Sequence, residues 1–279
     1  MRPIIDAAEL KEIIDEYGLI LIDASGGPNA HADYTSQHLA GAQWVDLETQ
    51  LAEIEEDVSL GGRHPLPSLK RFSVLLGELG ITPESHVVIY DHMNGANAAS
   101  RFWWMLRSVG HEKVQVLNGG FKAAQALGLP IDAEGVEIRK AVAYPLETWL
   151  LPMVDITEVE EISQQEDHRL IDVRSAERYR GETEPIDLVA GHIPGAINIP
   201  LTENLDANGL FLSPEALKTK YSKALEGIDA DKVIIHCGSG VTACHTILAM
   251  DYAGMAIPNL YVGSWSEWSR NEKEMVLKD

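Results

Sequence analysis

Only two of the 279 residues are cysteine, Cys237 and Cys244. Two thiols do not make a disulfide framework, and the pair fits a reducing compartment. They also fall short of a zinc centre, because the histidines are scattered and no ligand spacing appears. Long apolar runs are missing as well. None approaches the ~20 residues that a membrane-crossing helix needs. The first residues have neither a long apolar segment nor a small-residue cleavage site, so no secretory signal is read there and a cytoplasmic protein is expected. Positive charge is scarce: 22 Lys and Arg stand against 43 Asp and Glu, for a net charge of −21. Both halves share the deficit, which argues against nucleic acid and anionic membranes as partners. Any anionic substrate would then need a local concentration of positive field. Aromatic residues make up only 6%, and Trp103, Trp104, Trp265 and Trp268 are expected in a core or an interface, not as a substrate platform.

What is present is an internal repeat. Hydrophobic residues make up 45% of a chain long enough for two ordinary domains. Four landmarks recur in the same order. Leu21-Ile22-Asp23-Ala24-Ser25 answers to Leu170-Ile171-Asp172-Val173-Arg174-Ser175. His38-Leu39-Ala40-Gly41-Ala42 answers to His192-Ile193-Pro194-Gly195-Ala196. His86-Val87-Val88-Ile89-Tyr90-Asp91 answers to Lys232-Val233-Ile234-Ile235-His236-Cys237. Leu117-Asn118-Gly119-Gly120-Phe121 answers to Tyr261-Val262-Gly263-Ser264-Trp265. From Asp23 to His38, Asp91 and Gly119 the intervals are 15, 53 and 28 residues; from Asp172 to His192, Cys237 and Gly263 they are 20, 45 and 26. Four landmarks in one order mark two tandem copies of one domain.

Hydrophobic periodicity predicts strands at 19–23, 43–45, 87–90 and 114–117 in the first copy, with helices at 7–17, 68–79, 97–109 and 121–127. Gly110 reads as a helix C-terminal cap. In the second copy the strands are 170–173, 196–199 and 233–236, with helices at 157–164, 214–225, 241–252 and 264–269. Short apolar strands alternating with helices imply an α/β fold, a mainly parallel sheet covered on both faces. The expected domains are 1–145, non-catalytic, and 155–279, catalytic. Residues 132–155, with Tyr144-Pro145 and Leu151-Pro152, read as an extended linker packed on the surface.

The chemistry gathers at Val233-Ile234-Ile235-His236-Cys237-Gly238-Ser239-Gly240-Val241-Thr242. A β-branched run ends on a cysteine, at the strand edge where open α/β sheets place their ligands. Gly238 and Gly240 free the loop to turn successive N–H groups inward, and the following helix adds the positive end of its dipole. Such electropositive surroundings favour the anionic, nucleophilic form of a thiol. Cys244 is expected to be a buried helix residue and not a resolving thiol. In the first copy Asp91 stands where Cys237 stands in the second. A carboxylate is a poor receptor for an anion, so that site reads as degenerate.

At this loop the sequence resembles the rhodanese superfamily, and within it the two-domain sulfurtransferases of the thiosulfate and 3-mercaptopyruvate type. The likeness runs over nearly the whole chain, including Gly191-His192-Ile193-Pro194-Gly195-Ala196 and Gly263-Ser264-Trp265-Ser266-Glu267-Trp268. It implies two tandem rhodanese-like domains and sulfur transfer through a persulfide on Cys237, with no cofactor and no metal. A small anionic donor loads the cysteine; a thiol (a small one or a thioredoxin-like protein) or cyanide removes the sulfur. The N–H groups of Gly238, Ser239, Gly240, Val241 and Thr242 would cradle the charged sulfur. Ser239 matches a residue that assists proton transfer, partnered by a histidine and an acid of the first domain. Arg63-His64-Pro65-Leu66-Pro67 points to His64, and counting from His38 points to Glu48, with Asp46 nearby.

For the donor's carboxylate or sulfonate end, Arg178 matches an anion-binding arginine of the family, with Arg180 a second candidate and Arg174 a structural ion-pair partner. Thiosulfate-preferring members carry basic residues after the cysteine, so the neutral Gly-Ser-Gly loop resembles the mercaptopyruvate type. That type has a further arginine where this chain has Ile186, in Glu184-Pro185-Ile186-Asp187. The two features point in opposite directions and leave the donor open, with a thiosulfate-preferring rhodanese as the alternative. A related phosphatase needs arginine six residues after the cysteine, where this chain has Ala243. A non-catalytic sulfur-sensing or scaffold module is the remaining alternative, though a dead site would not require Cys237, its glycines and Ser239 together.

Overall fold

A computed structural model describes residues 1–277. The chain gathers into two compact units. The first holds Met1–Glu53, Pro67–Leu150 and Ala207–Phe211; the second holds Ile54–Leu66, Leu151–Asp206 and the residues from Leu212 onward. Two short segments thus fall outside a simple cut of the chain. The one that joins the second unit, Ile54–Leu66, carries Arg63 and His64.

The first unit runs β1 (Ile4–Ile5), α1 (Ala7–Ile13), β2 (Leu19–Asp23), α2 (Ala30–Ser36), β3 (His38–Leu39), β4 (Gln43–Trp44), α3 (Leu69–Glu78), β5 (His86–Tyr90), α4 (Ala98–Ser108), β6 (Val114–Leu117), α5 (Gly120–Ala126) and β7 (Ile131–Asp132). The second runs β8 (Met153–Val154), α6 (Ile156–Ile162), β9 (Arg169–Asp172), α7 (Ala176–Tyr179), β10 (Ile197–Asn198), α8 (Pro214–Leu225), β11 (Val233–His236), α9 (Ala243–Tyr252), β12 (Asn259–Tyr261) and α10 (Ser264–Trp268). Each unit is an α/β domain around a five-stranded sheet, ordered β1-β6-β5-β2-β4 in one and β10-β9-β11-β12-β8 in the other. Every pairing in both sheets is parallel. Read from opposite ends, the two orders are the same order. The central strands β5 and β11 are buried along nearly their whole length, which is why they read as unbroken apolar runs with no alternation. Among the described residues no helix is long and apolar enough to cross a membrane.

The repeated landmarks turn out to be structural. Asp23 and Asp172 each accept an N–H from the residue two places on, at 2.9 Å in both copies. His38 stacks on Tyr34 with ring centroids 4.1 Å apart, and His192 stacks on Tyr179 at 3.8 Å. In both pairs the histidine Nδ1 lies 2.8 Å from the tyrosine's own carbonyl oxygen. The two phenols donate onward to Ala42 and Ala196 carbonyls, at 2.8 and 2.6 Å. Each histidine–glycine landmark therefore closes a loop with its tyrosine. The four tryptophans expected in a core are all buried, as is Cys244, whose Sγ donates to the Gly240 carbonyl at 3.4 Å.

Residues 132–155 have little regular structure, as the prolines require. They pack along the first unit through N–H bonds from Ala141 to Gly77 and from Tyr144 to Ser73, at 2.8 and 3.0 Å. Gly110 caps α4 at φ 82° and donates to the Arg107 carbonyl at 3.0 Å. Periodicity overran some ends: α1 stops at Ile13, not at 17, where consecutive turns lead to Gly18 at φ 90°. The two-residue strands β1 and β8 escaped notice because a pair of residues carries no period, and α2 because it buries only Ala30.

Candidate active site

Cys237 sits one residue beyond β11, the middle strand of its sheet, and is 1% exposed. Its backbone is held on both sides. The Cys237 N–H donates to Ser264 Oγ at 3.1 Å, and its carbonyl accepts from Trp265 N–H at 3.1 Å. Gly240 adopts φ 72°, and a Cβ there would run into the Val262 carbonyl oxygen. Only glycine fits that turn without displacing backbone. Val241 and Thr242 complete the loop, and α9 follows, buried along most of its length.

Ser239 and His64 meet. Ser239 Oγ lies 2.7 Å from His64 Nδ1, with both residues buried. A proton can therefore pass between hydroxyl and imidazole in either direction, depending on the tautomer. The histidine comes from the segment that packs in the second unit, although the sequence reading drew it from the first. Glu48 belongs to the first unit, where it is an exposed residue of a turn; neighbouring Asp46 accepts the N–H and hydroxyl of Thr49, at 2.8 and 2.7 Å.

The arginines separate into distinct roles. Arg174 is buried against Asp172 at 2.6 Å, donates to the Gly191 carbonyl and lies over the Trp265 ring, the structural role expected of it. Arg180 pairs with Glu182 at 2.7 Å, both partly exposed, and is not one of the groups nearest Gly238. Arg178 is. The atoms nearest to where a Gly238 Cβ would stand are Arg63 Nη2, at 3.0 Å, and the two Arg178 Nη atoms, at 3.5 Å. Gly238 thus leaves room for two guanidinium groups beside the residue that follows the nucleophile.

Carboxylates fix that pair in place. Arg178 donates to Glu184 at 2.7 Å and reaches Asp187 at 3.3 Å. Asp187 has no exposed side-chain surface and also receives Arg63 at 3.1 Å and Arg270 at 3.0 Å. With Arg174 on Asp172 and within 3.4 Å of Glu184, four guanidinium groups face three carboxylates, which leaves one positive charge in a chain that is otherwise strongly acidic. Sequence reasoning missed Arg63, Arg270, Glu184 and Asp187. The signal within reach was Arg63 itself, adjacent to His64.

This network has a pH signature. Burial opposes the Glu184 charge, but hydrogen bonds from Arg178 and from the Asp187 and Ile186 N–H groups, with the Arg178 charge, hold its carboxyl below the usual range. The unfolded chain then takes the proton more readily. The stabilisation is complete above the ordinary glutamate range and disappears as pH falls through the folded value. Urea midpoints should fall on acidification below pH ~4.3, and Glu184→Gln should fall less steeply there. Parallel curves for the two proteins would contradict the assignment.

The first unit shows what the equivalent loop does around an anion. Asp91 follows β5 as Cys237 follows β11, and is fully buried. Its Oδ1 accepts N–H groups of Met93 and Gly95, both at 2.8 Å; its Oδ2 accepts those of Asn97 and Ala99, at 3.0 and 3.4 Å. Burial pushes the Asp91 carboxyl pKa up, yet two donors on each oxygen are the surroundings of a carboxylate. The cradle in this copy holds its own side chain.

Comparison with known proteins shows the family. The rhodanese-like domain matches residues 6–127 and again 155–271. A probable 3-mercaptopyruvate sulfurtransferase of Pseudomonas aeruginosa is 38% identical over 98% of this chain and 97% of its own length. A putative thiosulfate sulfurtransferase of Mycobacterium tuberculosis is 38% identical over 89% of this chain and 86% of its own. Among solved structures, 3-mercaptopyruvate sulfurtransferase from Leishmania major superposes with a TM-score of 0.84 at 30% identity, covering 96% of this chain and 74% of that one. The same domain is matched twice, and a cysteine loop closes the central strand of the second copy: the chain belongs to the rhodanese family, as a tandem pair of rhodanese-like domains.

Proposed function

We propose that the protein is a sulfurtransferase that takes sulfur from 3-mercaptopyruvate onto Cys237 and passes it to a thiol or to cyanide. The observation that carries the choice of donor is the pair of guanidinium groups, Arg63 and Arg178, nearest Gly238. Arg63 supplies from upstream the cation that Ile186 lacks, so the donor's carboxylate meets two forks. In the loading step the Cys237 thiolate attacks the donor sulfur and the carbon–sulfur bond breaks. The bonding pair leaves on carbon as the enolate of pyruvate, which takes up one proton. The sulfur remains as Cys237–S–SH. In the unloading step an acceptor thiolate attacks the outer sulfur, receives it as a persulfide and returns Cys237 as thiolate. Sulfite leaves thiosulfate as a stable anion and needs no proton; an enolate is basic and does. The Ser239–His64 pair 2.7 Å apart suits the donor whose leaving group must be protonated. The N–H groups of residues 238–242 are the proposed cradle of the persulfide. The Asp91 carboxylate in the other copy supports that reading of the loop, and supports reading its own domain as non-catalytic. The two free thiols fit a cytoplasmic setting.

The test compares 3-mercaptopyruvate with thiosulfate at one acceptor concentration. Mercaptopyruvate should be preferred. Arg178→Ala and Arg63→Ala should each raise KM for it by roughly 10- to 100-fold, the ~1.5–3 kcal/mol of a hydrogen bond to a charged group. A preference for thiosulfate, unchanged in Arg63→Ala, would assign the site to a thiosulfate-preferring rhodanese. Failure of both donors to add sulfur to Cys237 would leave the sulfur-sensing or scaffold reading.

A further inference from the structure

The Ser239–His64 contact joins residues 175 apart in sequence, and something must hold them in register. His64 follows a Gly-Gly-Arg turn and Ser239 stands in a glycine loop, so neither rests on a regular element of its own. Ser266, fully buried in α10, touches the immediate neighbour of each. Its Oγ accepts the N–H of Arg63, the residue before His64, at 3.0 Å. Its own N–H donates to the carbonyl of Gly238, the residue before Ser239, at 2.8 Å. The hydroxyl proton goes to the Gly263 carbonyl at 2.9 Å, which fixes the Oγ lone pairs towards Arg63. Gly62 turns at φ 79° against this point, where a Cβ would run into the Gly263 carbonyl and stand 2.6 Å from Ser266 Oγ. Two positions earlier, Ser264 holds the Cys237 N–H from a backbone at φ 53°, a left-handed conformation that a serine adopts at a cost.

We propose that Ser266 is a positioning residue for proton transfer: it clips the His64 segment to the cysteine loop and thereby sets the Ser239–His64 distance. It touches no substrate: its Oγ bonds only the Arg63 backbone N–H, while the Arg63 guanidinium is held separately by Asp187 at 3.1 Å, so donor binding is left largely intact. The inference rests on the sulfur-transfer reading of Cys237 and concerns the proton step alone. Losing the side-chain half of the clip releases Arg63 N–H and lets His64 drift. A displacement of about 1 Å at a catalytic pair costs up to ~100-fold in rate.

The experiment is a double-mutant cycle on the full chain with 3-mercaptopyruvate as donor. Ser266→Ala should lower kcat about 10-fold and leave KM within about twofold, because the proton step is reached only after binding. In a Ser239→Ala background the same substitution should cost less than about twofold, since the pair it serves is already gone. A purely structural role predicts the opposite, with the two losses multiplying. Ser266→Ala kinetics equal to wild type, or multiplied losses in the double variant, would overturn the proposal. Hydrogen exchange in the unmutated protein gives a readout independent of folding of the variants. The Arg63 amide should be strongly protected, and exchange at the rate of an open loop would also overturn it. A wild type that moves no sulfur removes the sulfurtransferase reading and this inference together; turnover in wild type with no loss in Ser266→Ala removes the inference alone.

Discussion

Cys237→Ser is expected to abolish sulfur transfer from mercaptopyruvate and thiosulfate alike, with the melting temperature close to wild type. The cysteine is 1% exposed and held by backbone contacts to Ser264 and Trp265, so serine fits the same space with the same main-chain bonds. What is lost is the chemistry. A serine hydroxyl is a weak nucleophile at neutral pH without a base dedicated to it, and an oxygen–sulfur adduct would not carry a transferable sulfane sulfur. Turnover should fall by at least about 10³-fold, the scale seen when the nucleophile of a covalent mechanism is removed. Intact mass after donor treatment should show one added sulfur atom in wild type and none in the variant. The second thiol is not expected to rescue transfer, because Cys244 lies within α9 with its Sγ donating to the Gly240 carbonyl, and not in the glycine loop at the strand end. Sulfur added to Cys237→Ser at the wild-type level would remove Cys237 from the mechanism.

Asp91→Ala should strongly destabilise the fold, with little effect on chemistry. Its carboxylate is the acceptor for four N–H groups at the end of β5 and is itself fully buried. Alanine leaves those donors facing a small void. An unsatisfied buried donor costs about 1–3 kcal/mol, and water entering the void recovers part of that, so a net loss of roughly 3–5 kcal/mol is expected. For a chain of this size that corresponds to a fall in Tm of about 10 °C. Asp91→Asn should lose less, since one oxygen remains, but its amide N–H groups would point at other donors. Sulfur transfer per folded molecule should stay within about twofold of wild type, because the persulfide forms in the other domain. An unchanged Tm would mean that the cradle does not depend on its carboxylate; a large loss of turnover in folded Asp91→Ala would give the first domain a catalytic part.

The repeat, the α/β class and the position of the nucleophile were all legible in the sequence, because each depends on local order. A buried parallel strand must be an apolar run, and the turn after Cys237 must have glycine at 240, whatever else the chain does. The His38 and His192 landmarks were equally visible, although their work is to stack on Tyr34 and Tyr179. Where periodicity is short, reading failed: β1, β8 and α2 carry too few buried residues to show a period. The surroundings of the arginine candidates were not legible: Arg180, just past the end of α7, pairs with Glu182, whereas Arg178 within it reaches Glu184 and Asp187.

That one half of this protein offers a cysteine and the other a carboxylate at the same place in the same fold can be read from the chain alone. Those are properties of a strand end and the few residues after it. What surrounds the cysteine follows from the fold. Arg63 and His64 come from a segment more than 170 residues upstream that packs in the second unit. The buried carboxylate of Asp187 holds the Arg63 guanidinium, and Ser266 accepts the Arg63 N–H. No local pattern records such a meeting, because the hydrogen bonds and ion pairs that fix it form only between segments the fold has already brought together.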